Sequence, residues 1–259
     1  ESTRWLISRG RVEDARKAAA RIMQVPLSQV PSQATTLSPP AQARFYELLK
    51  HPKALSLTIL IWLGISTANY GVYLWGPTLI ALELEFSVEK AAGIFAYVAL
   101  VGMIGKVAFS LLPNRIGRVR AGLIGGYGLA GSLIAIALWH DQTLAGVSVF
   151  LVFLLIGALF FDGVFANLSP YSAEIFPVSL AARGVGVAQA ANGVGKILGP
   201  LSLSLLAGAE NIVAPEATSE AIKPGFLFMA GGGVVMILAF TFLGIETHKR
   251  PLKIDGEGL

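Results

Sequence analysis

The amino-acid sequence predicts an all-α membrane protein with six transmembrane helices, and three observations carry that reading. Of 259 residues, 54% are hydrophobic and only 14% are charged, where a soluble domain carries about 25% charged residues. The charges are clustered: 29 uncharged residues separate Lys53 from Glu83, and 121–140, 142–161 and 224–245 are further uncharged runs. A bilayer core takes about 20 apolar residues per helix. The third observation is glycine, 29 residues of it, concentrated in the apolar runs, where small residues let helices approach closely. Gly122–Gly126 and Gly195–Gly199 have the four-residue spacing of such contacts.

Read in order, residues 1–23 form a helix with Val12, Ala15, Ala19, Ile22 and Met23 on one face and a basic background. It is either a solvated surface helix or one lying on the membrane. Residues 24–53 hold Pro26, Pro31, Pro39 and Pro40 and read as a linker. Spans are expected at 54–81, 91–112, 121–139, 144–168, 184–207 and 225–245, with a polar loop at 208–223. The domains are therefore 1–53, helix and linker; 54–245, the helical lobe; and 246–259, a tail.

Charge orients the chain. Segments 1–53, 114–120, 171–183 and 246–259 hold 16 of the 20 Lys and Arg residues, and the opposite loops hold only Lys90 and Lys223. By the positive-inside rule the first group is cytoplasmic, so both termini are expected there in a multi-pass protein of the cell (inner or plasma) membrane. The net charge of +4 then reflects topology and membrane lipid, with no call for a nucleic-acid partner. Zero cysteines exclude disulfides and thiolate chemistry. His51, His140 and His248 fall in separate loops without metal-ligand spacing, and Gly231-Gly232-Gly233 lacks the Lys-Ser/Thr ending of a phosphate loop. Neither an enzyme nor a cofactor is expected.

Four short motifs follow in order: Glu1-Ser2-Thr3-Arg4-Trp5-Leu6, then Asn114 to Arg120, then Glu174-Ile175-Phe176-Pro177, then Ile245 to Lys249. Together they resemble motifs of the major facilitator superfamily, in its sugar-porter-like and organic-ion or metabolite:proton symporter branches. Glu1-Ser2-Thr3-Arg4-Trp5-Leu6 is similar to the PESPRWL after the family's sixth helix. Asn114-Arg115-Ile116-Gly117-Arg118-Val119-Arg120 resembles its DRxGRR loop. Glu174-Ile175-Phe176-Pro177 with Arg183 and Gly184 resembles E-x-F-P…R-G, and Ile245-Glu246-Thr247-His248-Lys249 resembles PETKG. Asn114 stands where the motif is acidic, and Arg183 lies two places late, with Ala181 at the usual site. The resemblance implies the C-terminal half of a twelve-helix transporter, one lobe of a major facilitator fold. It also implies that a six-helix N-terminal lobe precedes Glu1, and that proton coupling drives transport by alternating access. Arg115, Arg118, Glu174, Arg183 and Glu246 are candidates for a cytoplasmic gating network; as arginines of inner loops, the cations also satisfy the topology rule alone.

Ionisable residues inside spans are costly and usually functional. Lys106 is expected to snorkel to the headgroups. Asp162 is a proton-coupling candidate or a hydrated carboxylate at the inner mouth. Lys196, about 20 Å along a helix from Arg183 at 1.5 Å per residue, reads as a cavity cation or as an ion-pair partner, with Asp162 a candidate for the pair. Asn192 lies one turn before it. Asn69, Tyr70 and Tyr73 of the first span line the cavity or belong to an interfacial aromatic belt. The expected cargo is a small organic solute, an anion such as a carboxylate or aromatic acid given Lys196, with a sugar or other neutral solute as the alternative. A non-transporting receptor or scaffold is the rival class. The topology has a direct test, because the background is free of cysteine. Arg115→Cys is expected to be shielded from an impermeant thiol reagent in intact cells, and Pro215→Cys to react; equal labelling overturns the orientation.

Overall fold

Without water, an apolar chain can satisfy its backbone N–H and C=O groups only by forming helices or closed barrels, and these runs form helices. A computed structural model of the protein describes residues 3, 6, 10–30, 44–206 and 219–248, with the backbone alone at 219 and 220. Apart from Thr3 and Leu6, the opening motif lies outside the described residues. So do Pro31, Pro39 and Pro40 of the linker, loop residues 207–218 and the tail from 249 onward. The elements are α1 Val12–Met23, α2 Pro52–Glu83, α3 Val88–Leu111, α4 Pro113–Ile116, α5 Arg118–Trp139, α6 Val149–Phe161, α7 Val164–Glu174, α8 Ala181–Leu206 and α9 Ser219–Leu243. A hairpin pairs Thr143–Leu144 with Val147–Ser148 before α6.

Local chemistry sets the ends. Pro52 opens α2 at the first helical position, where its missing N–H costs nothing. Ser87 caps α3 by accepting from the Lys90 N–H at 3.4 Å. In α1, Ala15 is buried while Ile22 and Met23 stay exposed. Arg16 of that helix donates to the carbonyls of Leu27 and Val30 at 3.3 and 3.1 Å.

Five helical stretches are long and apolar enough to cross a membrane: Pro52–Glu83, Val88–Ile116, Arg118–Trp139, Val149–Glu174 and Ala221–Leu243. α8, expected as the span 184–207, is not among these five. Its 26 residues extend about 39 Å at 1.5 Å per residue, but Arg183, Gln189, Asn192 and Lys196 make it more polar. The lobe is built on α2, which packs against α8, α9 and α3; α5 packs on α9 and α6, and α3 on α6 and α7. At the far end, His140 after α5 meets Glu83 of α2, Nδ1 to Oε1 3.1 Å.

Close approach explains many of the glycines. A Cβ on Gly64 of α2 would strike the Gly232 carbonyl of α9, and one on Gly232 would strike Gly64. On α8, a Cβ at Gly195 would lie 2.7 Å from Ser66 Cβ, and one at Gly199 would meet the Thr67 carbonyl. Gly122 faces the Phe240 ring, and a Cβ at Gly126 would lie 2.8 Å from Ile237 Cγ1. Both four-residue pairs noted in the sequence therefore sit at helix contacts, α2–α8 and α5–α9.

The fourth span differs from expectation. Instead of one helix over 144–168, residues 143–148 turn back as the hairpin, α6 begins at Val149, and the helix breaks at Asp162-Gly163 before α7 runs on to Glu174. At the break the Asp162 N–H reaches the Ala158 carbonyl at 3.3 Å, and the Ala166 N–H turns to Gly163 O, three residues back. Gly163 is pressed against α3, since a Cβ there would lie 2.7 Å from the Gly105 carbonyl.

These contacts make a graded prediction. Gly232→Ala should lower the thermal midpoint of the detergent-solubilised protein, with overpacking costing about 1–3 kcal/mol. Gly231→Ala, where nothing lies within 4 Å, should be near neutral. Equal midpoints for the two variants would refute the α2–α9 contact.

Candidate functional site

Three polar groupings stand out against the apolar helices. The first joins three helix ends. Gly117, with φ +97°, lets the chain turn between α4 and α5, in a region that side chains rarely adopt. The turn also makes room: a Cβ there would lie 2.5 Å from Glu246 Oε2. Through that gap the Glu246 carboxylate reaches the first N–H groups of α5, accepting from Arg118 at 2.9 Å and Val119 at 3.2 Å. His248 N–H adds a third bond at 2.9 Å. A carboxylate at a helix N-terminus satisfies orphan donors and meets the positive end of the dipole. Burial would raise the Glu246 pKa, but the N–H groups of His248, Arg118, Val119 and Thr247 outweigh it and hold the carboxyl below its usual range. A lowered folded-state pKa means that this contribution is fully present above the ordinary value, about 4.3, and is lost as pH falls through the lowered one.

Arg118 extends the group. Its guanidinium grips Glu174 with both forks, Nη2 to Oε1 2.6 Å and Nε to Oε2 3.1 Å, the strong bidentate geometry. Thr247 donates to the same carboxylate at 2.6 Å, and Asn167 donates to the Arg118 carbonyl at 3.0 Å. Tyr171 accepts from the Ile245 N–H and donates to its carbonyl, at 3.0 and 2.8 Å. The expected network is thus partly assembled: Arg118, Glu174 and Glu246 meet. Arg115 is exposed and is no partner of the group among the described residues, and Arg183 turns back to the Ser179 carbonyl at 3.5 Å. Asn167, Tyr171 and Thr247 were not anticipated. Yet 167, 171 and 174 are spaced as one stripe of a helix, a signal present in the sequence.

The second grouping surrounds the break in the fourth span. Asp162 is 6% exposed, which overturns the hydrated-mouth expectation. Lys106 Nζ of α3 lies 3.2 Å from Asp162 Oδ1, and the Tyr73 hydroxyl of α2 donates to Oδ2. Asn69 donates to the Phe161 carbonyl at 3.2 Å, one of the last carbonyls of α6, which lack helical partners. Gly102 is required here, because a Cβ would fall on the Asp162 carboxylate. Two expectations are corrected. Lys106 does not run to the headgroups; a buried carboxylate in apolar surroundings holds it. Lys196 is not the partner of Asp162; Lys106 is. Half of the Lys106 side chain, 50%, nevertheless remains exposed.

The third grouping lies on α8. Lys196 is exposed and its Nζ stands 4.6 Å above the Tyr70 ring of α2, a cation–π contact. Gly186, Gln189, Gly193 and Lys196 follow helical spacing, and a Cβ on either glycine would meet nothing within 4 Å. This stripe of α8 faces open space. Asn192, 8% exposed, points into the lobe: its Oδ1 accepts from Ser66 at 2.7 Å and its Nδ2 donates to Gln189 at 3.0 Å. The structure therefore gathers Tyr70 and Lys196 on one surface, places Tyr73 with Asp162, and occupies Asn69 and Asn192 with internal hydrogen bonds.

Residues 5–200 match the family described as the Major Facilitator Superfamily. The chain is 25% identical to the niacin transporter NiaP of Acinetobacter baylyi over 264 residues, covering 99% of this chain and 56% of that protein. It is 30% identical over 219 residues to the solute carrier family 22 member 21 of Mus musculus, covering 77% of this chain and 36% of the relative. It is also 30% identical over 217 residues to the organic cation/carnitine transporter 2 of Homo sapiens, with the same two shares. The chain thus spans between about a third and just over half of the length of these relatives. With the family match over most of its residues and a predominantly helical lobe whose helices reach membrane-crossing length, this chain belongs to the major facilitator superfamily.

Proposed function

We propose that this chain is the six-helix C-terminal lobe of a secondary active transporter for a small organic solute, an anion such as a carboxylate or aromatic acid. The observation that carries the reading is Lys196: within a helix of membrane-crossing length, its exposed ammonium rests on the Tyr70 ring, and among the described residues no carboxylate pairs with it. An uncompensated cation in hydrocarbon costs about 3 kcal/mol on insertion scales, so a position facing a solute pathway accounts for it better than a position facing lipid. Tyr70 offers a flat face to an unsaturated solute, and Lys196 offers the counter-charge. Names of relatives include niacin and carnitine, both small organic solutes, which is consistent with this class.

Alternating access follows from rocking against a second six-helix lobe, whose place is the open face of α8. The Arg118–Glu174–Thr247 group and the Glu246 cap hold the starts and ends of α5, α7 and α9 in one arrangement on the cytoplasmic side. An exposed ion pair alone contributes about 0–1 kcal/mol, but a bidentate pair joined to a helix cap can bias two nearly balanced states. Asp162 serves as the proton carrier: protonation removes the charge that holds Lys106 and frees a second cation beside the pathway.

Variants at three positions test the assignment in proteoliposomes holding the transporter that contains these residues. Lys196→Ala should raise the apparent KM of an organic anion about tenfold or more, the scale of one charge-assisted contact, and Lys196→Arg should restore part of it. Transport of a neutral sugar, unaffected by Lys196→Ala, would favour the neutral-solute reading instead. Asp162→Asn should abolish accumulation driven by a proton gradient while leaving solute exchange, and full gradient-driven accumulation refutes the proton role. Glu174→Gln should slow transport with binding unchanged, and wild-type rates in that variant refute the gate.

A further inference from the structure

The stretch Arg44–Lys53, RFYELLKHPK, is not used by any of these groupings. Residues Phe45–Lys50 form a short 3-10 helix directly before α2. Its start is closed by its own acid, as the Arg44 N–H donates to Glu47 Oε1 at 2.6 Å. Leu48, 1% exposed, is the anchor that packs into the lobe. The neighbouring apolar side chains point away: Phe45, Tyr46 and Leu49 are 66%, 55% and 70% exposed. Beside them Arg44, Lys50 and Lys53 are exposed, and among the described residues no carboxylate pairs with any of the three.

Position decides what covers such a surface. Pro52 starts a membrane-crossing helix, and the two turns before it therefore lie at headgroup depth. At that depth aromatic and aliphatic groups sink to the acyl boundary, and Lys and Arg stems carry their charge back to phosphate. Three cations stand against one acid already engaged by the backbone, so the complement is negative.

We propose that the Phe45–Lys50 turn, with Arg44 and Lys53, is a docking site for anionic phospholipid headgroups. Phe45, Tyr46 and Leu49 enter the boundary of the hydrocarbon, and the three cations bind the headgroup phosphates. Bound lipid would thereby fix the end of α2, the helix on which the lobe is built.

The test uses the full chain in nanodiscs of phosphatidylcholine, with increasing phosphatidylglycerol, and a polarity-sensitive label on Tyr46→Cys. Phosphatidylglycerol is expected to move the label from an aqueous to a headgroup environment, and about 1 M NaCl, with a Debye length of ~3 Å, to move it back. Replacing Arg44, Lys50 and Lys53 together by Gln should leave the label aqueous at the phosphatidylglycerol content that shifts the parent, since each charge contributes about fivefold in binding. A label that reports water at every lipid composition refutes the site. A label shielded from both an aqueous and a lipid-borne quencher also refutes it, since protein would then cover the turn.

Discussion

A single carboxylate inside an apolar span organises much of this lobe. Asp162 cannot be buried as an anion without compensation. The fourth span breaks there, and each consequence of the break is met by another helix. Lys106 of α3 supplies the charge, Tyr73 of α2 a hydroxyl, and Asn69 of α2 an amide for a terminal carbonyl of α6. Gly102 and Gly163 supply the space. Removing one member would leave a buried polar group unpaired, which is costlier than never burying the group.

Around that point, packing follows from small residues rather than from hydrophobic segregation, which gives little advantage when the surroundings are as apolar as leucine. α2 is the axis. It meets α9 at Gly64 and Gly232, meets α8 at Gly195 and Gly199, and is tied to α7 by Trp62, whose indole donates to Ser172 at 2.7 Å. Contacts between backbones tolerate no added carbon, so these helix pairs are held at one close separation. Freedom to rearrange is left to the helix ends and to the exposed stripe of α8.

The ends and the interior handle charge differently. Near Glu246 and Glu174 the partners are backbone N–H groups and a planar guanidinium, partly exposed, and each bond is modest but geometrically specific. Near Asp162 there is little water to substitute for a lost partner. Lys196 belongs to neither setting, having a ring beneath it and space above. That difference separates side chains that hold the lobe together from side chains offered to something else.

The sequence by itself determined the class of the protein, because the lengths of uncharged runs and the backbone's need for hydrogen bonds leave an apolar chain few structures. Helices at 54–81, 91–112, 121–139, 184–207 and 225–245 were legible to within about six residues for the same reason, although the one at 184–207 is not among those apolar enough to count as a span. Arg118, Glu174 and Glu246 were legible as a family pattern, and Asn167 and Tyr171 could have been found on the stripe that leads to Glu174. What only the tertiary structure decided was partnership. Lys106 and Lys196 are both lone lysines in apolar helices, and nothing in one-dimensional spacing says which will face Asp162. Asn69 and Asn192, read as cavity residues by their polarity, satisfy groups inside the lobe instead. The break at Asp162-Gly163 was invisible as well, since a run of apolar residues continues the helical pattern on both sides. There α2 and α3 bring a hydroxyl, an amide and an ammonium to the break, and such contacts depend on how helices distant in sequence are placed side by side.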